Sequence, residues 1–441
     1  VPTGRPAVPR LERTVLGNGL RVIVAPDRSN PLVGVATLYD VGFRSEPEGR
    51  TGFAHLFEHL MFQGSANVDK IEHIRLVQSA GGVVNGHTLP DLTAYYEALP
   101  TGELELGLWL EADRMTSLAL TEENLRNQVS VVEEEIKVNV LNRPYGGFPW
   151  IPLPALAFDT YPNAHNGYGD FAHLEDASLE DAADFYSKYY APSNAVLAVC
   201  GDCEPEEVVK LAERHFGGIA RRRPPGHGPY PEPALGSERR KVVKDRQIPQ
   251  AAFAVGYRTP DPVRQLDDYV AHVVLASVLS DGDASRLRTR LVYRDRTVTD
   301  VRCILGTFGS DTFYMRDPVL FQIVVFHPGI ATTRQLQASI DRELDELAGD
   351  GPTADELDRV VTGLAASHWR SLEGVLDRTL ELGSVEVAHG RAELAGELPD
   401  RFAAVQPAAV AAAAASLRRQ HRAVLELQPV AAKSSAGGRA S

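Results

Sequence analysis

Residues 52–62 read Gly-Phe-Ala-His-Leu-Phe-Glu-His-Leu-Met-Phe, and the rest of the chain is best read outward from them. Phe53, Leu56, Phe57, Leu60 and Met61 recur at helical spacing, which predicts a largely buried helix. His55 and His59 stand four residues apart, on one face of that helix, and Glu58 lies close to the same face. Two imidazoles so placed can share a metal ion, and the carboxylate can reach a water there without being a ligand. Two histidines and a carboxylate in an apolar setting need partners, whereas the same residues on a solvated face would not.

The pattern H-x-x-E-H inverts the better-known H-E-x-x-H. Chance yields it about once in fifty chains of this length and composition. Hydrolytic zinc sites take three protein ligands and leave a position for water, so a third ligand is required. Thr121–Val140 reads as a long helix carrying Glu133-Glu134-Glu135. One of these three can face the histidines while its neighbours face solvent.

The chain has 441 residues, 44% apolar and 24% charged, which is globular composition with room for two large domains. Its net charge of −14 disfavours a nucleic-acid partner, because phosphate neutralisation needs a basic surface, and suits a cationic peptide. Three cysteines make no disulfide framework. No apolar run is long enough for a membrane span. Val1–Leu11 lacks the apolar core of a secretory signal. The expected setting is cytoplasmic, with a trimmed targeting segment ahead of Val1 as the alternative.

Thr14–Ala25 reads as two strand segments around the turn Asn18-Gly19, and Leu32–Tyr39, Val83–Asn85, Thr93–Ala98 and Asn194–Val199 read as strands. Lys70–Ser79, Leu104–Met115 and Pro205–Phe216 read as helices. Arg221–Leu235, RRRPPGHGPYPEPAL, loses all periodicity and reads as a linker. The two sides of this linker look like copies. Leu32–Tyr39 followed by Ala54-His55 mirrors Gln250–Tyr257 followed by Ala271-His272, and Leu120–Leu125 mirrors Pro352–Leu357. The expected fold class is α+β: two homologous α/β-sandwich domains, each a mainly antiparallel sheet with helices packed on it. The expected boundaries are 1–220, a linker at 221–235, a second domain at 236–430 and a disordered tail at 431–441. In the second copy His272 persists, but Leu275 and Ala276 fall at the Glu and second His, and Ser367 falls near the third-ligand position. That copy cannot build the same site.

The stretch HLFEHLMFQGS at His55–Ser65 resembles the active-site helix of the pitrilysin/insulinase zinc metallopeptidases (inverzincins), most closely their mitochondrial-processing-peptidase-like branch. The resemblance continues through GGVVNGHTLPDLTAYYEALP, WLEADRM, Gln128–Gly146 and FYSKYYAPSNAVLAVCGD. It implies a clamshell of which this chain is half, and a Zn²⁺ held by His55, His59 and Glu135, with Glu134 the runner-up. Glu58 would be the general base. Asn85 would contact substrate, and His87 lies near the implied cleft. The implied reaction is hydrolysis of unfolded or presequence-like peptides. The implied partner is an inactive homologous subunit or a second copy of this chain, forming a dimer. A non-catalytic core-type scaffold subunit and a dedicated peptide maturase are the alternatives.

Gln128 departs from the family, which often has an acid there. Some members use an Arg/Tyr pair in the second half. Arg286 and Tyr293 have a suitable separation, but Ser285–Leu287 reads as the start of a packing helix, so a partner could supply the pair. Cys200-Gly201-Asp202-Cys203 fits a turn after a buried strand better than a redox or zinc motif.

Overall fold

Period-two alternation along the strands builds two sheets, each with apolar side chains on both faces. The computed structural model describes residues 10–430 other than 227 and 310, so the expected tail at 431–441 lies outside the described residues. The first sheet contains β1 (Glu12–Val15), β2 (Arg21–Pro26), β3 (Leu32–Tyr39), β4 (Val83–Thr88), β5 (Thr93–Pro100) and β6 (Ala195–Gly201). Their order is β1-β2-β6-β3-β5-β4. The second contains β7 (Arg239–Asp245), β8 (Ala251–Arg258), β9 (Asp300–Leu305), β10 (Leu320–His327) and β11 (Arg422–Pro429), in the order β7-β11-β8-β10-β9.

The sheets repeat one pairing scheme. β2 runs parallel to β6 as β7 does to β11, and every later neighbour in each sheet is antiparallel. The His55 helix, Phe53–Leu60, lies between β3 and β4 in sequence, and helix Leu266–Ser280, carrying His272, lies between β8 and β9. Thr121 and Thr353 each cap the long helix that follows, accepting from the N–H three residues on. The α+β reading and the internal repeat therefore stand on topology as well as on sequence.

Several elements differ in extent from the sequence reading. Helix Glu72–Ser79 starts two residues late, because Ile71 sits at φ +66°. β4 runs on to Thr88, three residues beyond Asn85, because His87 and Thr88 continue its pairing with β5. The Glu135 helix, Glu122–Ile136, gives way to a wide π-helical turn at Lys137–Leu141 instead of continuing to Val140. That turn leaves Val138 and Leu141 more than half exposed, so the apolar pattern there is not backed by packing.

The halves also exchange helices. One face of the first sheet packs on its own helices, with Val22, Val24, Val33, Val35 and Val199 turned inward. The opposite face, including Ile23, Ala36, Leu38 and Ala198, is covered by helix Val375–His389 of the second half. Conversely, Leu153 and Ala157 of helix Pro152–Ala157 cover Ala254, Leu320 and Leu425 of the second sheet. Gly34 permits the first contact, since a Cβ there would overlap the Thr379 hydroxyl.

A buried ion pair of the first half anchors the second half at the same junction. Arg44 pairs with Asp91 at 2.7 Å, and Arg316 donates its backbone N–H to Asp91 at 2.9 Å and its guanidinium to Asp40. The described residues between 221 and 235 form no helix or strand, yet they are docked: the Glu232 carboxylate accepts from the N–H groups of Asp159 and Thr160, both at 3.0 Å. β4 is the outer strand of the first sheet, beside the His55 helix, and its far edge is unpaired among the described residues.

Candidate metal centre

The His55 helix has no cap of its own. Its N-cap is Gly52, at φ +88°, and its first turn carries no acid. The carboxylate of Glu46 fills that role from a distance, accepting from Gly52 N–H at 2.9 Å and Ala54 N–H at 2.8 Å. Burial raises the Glu46 pKa. His165 faces it at 3.2 Å and stacks flat on Tyr161, 4.4 Å between centroids. Further along the helix, Phe57 packs on Phe185 and Tyr190, and Tyr95 donates its hydroxyl to the Phe57 carbonyl at 3.2 Å. The helix is thus fixed in position and rotation.

That rotation presents His55 and His59 to the Glu135 helix. His59 Nε2 lies 3.3 Å from one Glu135 oxygen, and His55 Nε2 lies 3.6 Å from the other. One ligating atom from each residue falls within 4.8 Å of the other two. An ion with bonds of about 2.0–2.2 Å fits such a triangle. Of the three consecutive glutamates, Glu135 meets the histidines, whereas Glu133 and Glu134 approach Lys137 at 3.8 and 3.9 Å. Glu134 has a side chain 69% exposed.

The protonation states suit a cation. Burial, and then the neighbouring His59, push the His55 pKa down to about 4 against the pull of Glu135. The hydrogen bond to His59, against burial, holds Glu135 below the usual carboxylate range. A neutral imidazole and an ionised carboxylate are the forms that ligate metal.

Glu58 stands beside this triangle, its carboxylate accepting from the Thr88 hydroxyl at 2.8 Å. Burial pushes the Glu58 pKa up, with Thr88 opposing. Gly86 lets β4 pass close by, since a Cβ there would come within 3.2 Å of Glu58 Cγ. Asn85 is exposed on the same strand, and His87 tilts on Tyr96 at 5.4 Å. A cavity of about 200 Å³ opens between Glu58, Thr88 and an aromatic wall that includes Trp150 and Tyr168. Gln128 is buried, its amide reaching Asn127 at 3.4 Å.

Other candidates are engaged elsewhere. Arg286 binds Glu356 through two hydrogen bonds of 2.8 and 2.9 Å, and Tyr293 donates to Asp283 at 2.6 Å. His272 has both ring nitrogens occupied, by the Asp268 carbonyl and the Ser416 hydroxyl. Cys200 and Cys203 are buried free thiols, with burial raising their pKa values to about 11 and 12. Sequence reasoning missed Glu46, Thr88 and the aromatic wall. The only available signal for Glu46 was the absence of a capping residue at Gly52.

Comparison with known proteins places the whole chain in a family. Residues 21–144 match the family described as Insulinase (Peptidase family M16), and residues 176–364 match the Peptidase M16 inactive domain. The chain belongs to the pitrilysin/insulinase family. It is 29% identical to the zinc protease PqqE of Helicobacter pylori over 84% of this chain and 82% of that protein. The crystal structure of a protease from Helicobacter pylori superposes with a TM-score of 0.88 and 26% identity, covering 96% of this chain and all (100%) of that one. The chain is also 28% identical to mitochondrial cytochrome b-c1 complex subunit 1 of Bos taurus, over 52% of this chain and 46% of that protein. Among the described residues no helix is long and apolar enough to cross a membrane.

Proposed function

We propose that this family member is a zinc-dependent endopeptidase acting on unfolded or presequence-like peptides. The observation that carries the reading is the approach of Glu135 to both imidazoles with Glu58 poised alongside. In this reading His55, His59 and Glu135 hold Zn²⁺. When bound, zinc lowers the pKa of water and polarises a carbonyl. Glu58 takes the proton of the attacking water and passes it to the leaving amine. Thr88 holds the Glu58 carboxylate in place. Extended peptide lies along the open edge of β4, where backbone hydrogen bonds hold many sequences equally, with Asn85 and His87 at its side.

Residues 1–220 form the catalytic domain, 221–235 the linker and 236–430 the inactive homologous domain. A dimer with an inactive homologous subunit, or with a second copy, closes the chamber and admits unfolded chains. Glu58→Gln should keep stoichiometric zinc and lose chelator-sensitive peptide cleavage by about 10²–10⁴-fold. Cleavage undiminished in that variant would refute the assignment. The similarity to the b-c1 subunit favours a scaffold as the second reading. A chain that neither takes up zinc nor cleaves peptide would support it.

A further inference from the structure

We propose that the buried carboxyl groups of Glu97 and Glu111 hold one proton between them, and that this proton locks helix Glu72–Ser79 and β4 onto the first half until rising pH removes it. The inference goes beyond the peptidase reading and does not depend on it. Among the described residues, a second group besides the metal triangle has the spacing of metal ligands: His73, Glu97 and Glu111, with one ligating atom of each within 4.8 Å of the other two. Glu97 and Glu111 are 0% exposed and His73 5%. The three come from three elements: helix Glu72–Ser79, β5 and helix Leu104–Ser117. The last of these also carries Arg114, 2% exposed, which donates two hydrogen bonds to Glu111, one of them from Nε at 3.2 Å. Arg114 Nη1, His73 Nε2 and both oxygens of an ionised Glu97 are buried with no hydrogen-bond partner among the described residues.

Charge decides what fills this cluster. Burial first, and then Arg114, push the His73 pKa down to about 3, so its ring is neutral. Burial keeps the Tyr39 and Tyr95 hydroxyls protonated, and Thr37, facing Glu111 from β3, carries no charge. Asp113 is engaged by Ser65 and by Asn67, the latter at 2.6 Å. Two carboxylates and one guanidinium leave a single uncompensated negative charge. A proton cancels it, whereas a divalent cation would leave a net positive charge buried. Glu111 takes both guanidinium bonds and Glu97 takes none, so the proton belongs on Glu97. It also supplies the missing donor, since the two carboxyls are hydrogen-bonded to each other only with a proton between them. Burial, against Arg114, pushes both pKa values up from 4.5 to about 7. A folded pKa raised in this way gives stabilisation that is complete below about pH 4.5 and is lost as pH rises through about 7. What then loosens is set by the packing. Helix Glu72–Ser79 buries only His73 and Val77, so much of its anchorage is this cluster. Gly81-Gly82 joins it to β4, whose Val84 pairs with Glu97 itself. With the proton gone, water entering under the short helix relieves the extra charge and frees β4 with it.

The test uses the full chain, metal-free, so that neither zinc nor cleavage enters the readout. Glu97→Gln keeps a donor toward Glu111 and is neutral at every pH. Urea unfolding of wild type and Glu97→Gln is compared at pH 5 and pH 8. The ratio of the wild-type unfolding constant to that of the variant should grow by about 10–100-fold over this range. Hydrogen exchange of residues 72–88, corrected for the intrinsic effect of pH, should quicken at least about tenfold more in wild type than in Glu97→Gln. Glu111→Gln, which leaves one carboxylate to one guanidinium, is the second variant and should behave alike. Carbon-13 NMR of carboxyl-labelled glutamate reads the proton directly: wild type should show a signal titrating near about pH 7 that both variants lack. A ratio constant to within about threefold, or no such signal, overturns the proposal. Exchange at 72–88 that quickens equally in wild type and Glu97→Gln overturns the lock. Stoichiometric zinc retained by a chain carrying His55→Ala and His59→Ala, and lost on adding His73→Ala, also overturns it, because a metal would then hold the place assigned to the proton.

Discussion

Replacing Glu46 by alanine removes the side-chain acceptor at the start of the His55 helix. Two charge-assisted bonds of 2.9 and 2.8 Å disappear, and their donors, Gly52 and Ala54 N–H, stay buried. An unsatisfied buried donor costs about 1–3 kcal/mol, and loss of a helix cap about 0.5–2 kcal/mol. The carboxylate itself is buried, so part of its gain is already offset by lost hydration. The net expectation is about 2–4 kcal/mol for Glu46→Ala and about half that for Glu46→Gln, which keeps one acceptor oxygen. Ala54 precedes the first imidazole directly, so a frayed first turn also misplaces His55. Urea unfolding gives the first quantity, and competition with a chelator of known affinity gives the second. Glu46→Ala should lower zinc affinity at least about tenfold, equivalent to 1.4 kcal/mol. If both the unfolding midpoint and the zinc affinity of Glu46→Ala match wild type, the remote cap does not position the site.

His165 gives a pH-dependent version of the same test. Burial works against its charge, but the hydrogen bond and charge of Glu46 outweigh it, so its folded pKa is raised. Its stabilisation is therefore present below the unfolded value of about 6.5 and lost as pH rises through the higher folded value. Stability should fall across that window in wild type and fall less steeply in His165→Gln, measured by urea midpoints at pH 6 and pH 9. Gly34→Ala places a methyl group against the Thr379 hydroxyl and the Val375 carbonyl, and should cost about 1–3 kcal/mol by prying helix Val375–His389 from the first sheet. Gly102→Ala, which meets nothing within 4 Å, is the matched control and should leave the urea midpoint within about 0.5 kcal/mol of wild type.

Local periodicity carried much of the architecture. The His55 helix, β3, β5 and Pro205–Phe216 were legible because each buries one continuous set of apolar side chains. The third member of the triangle with His55 and His59 was not legible from periodicity. Glu133, Glu134 and Glu135 are equivalent as a run, and family resemblance singled out the one that the folded chain turns toward the imidazoles. Glu46 escaped notice because capping rules look at the residue adjoining the helix, and here the acceptor comes from an earlier turn. The aromatic wall of Trp150 and Tyr168 escaped because isolated aromatics far apart in sequence have no period to read. The exchange of helices between halves depends on contacts such as Gly34 with Thr379, 345 residues apart, which no local window contains.

The most direct measurement is the zinc X-ray absorption spectrum of the zinc-loaded chain. It should show one zinc per chain with two imidazole nitrogens at about 2.0–2.1 Å and oxygen at about 2.0–2.2 Å, and Glu135→Gln should alter the oxygen shell. A sulfur shell near about 2.3 Å, a single imidazole, or a spectrum indifferent to Glu135→Gln would contradict the account.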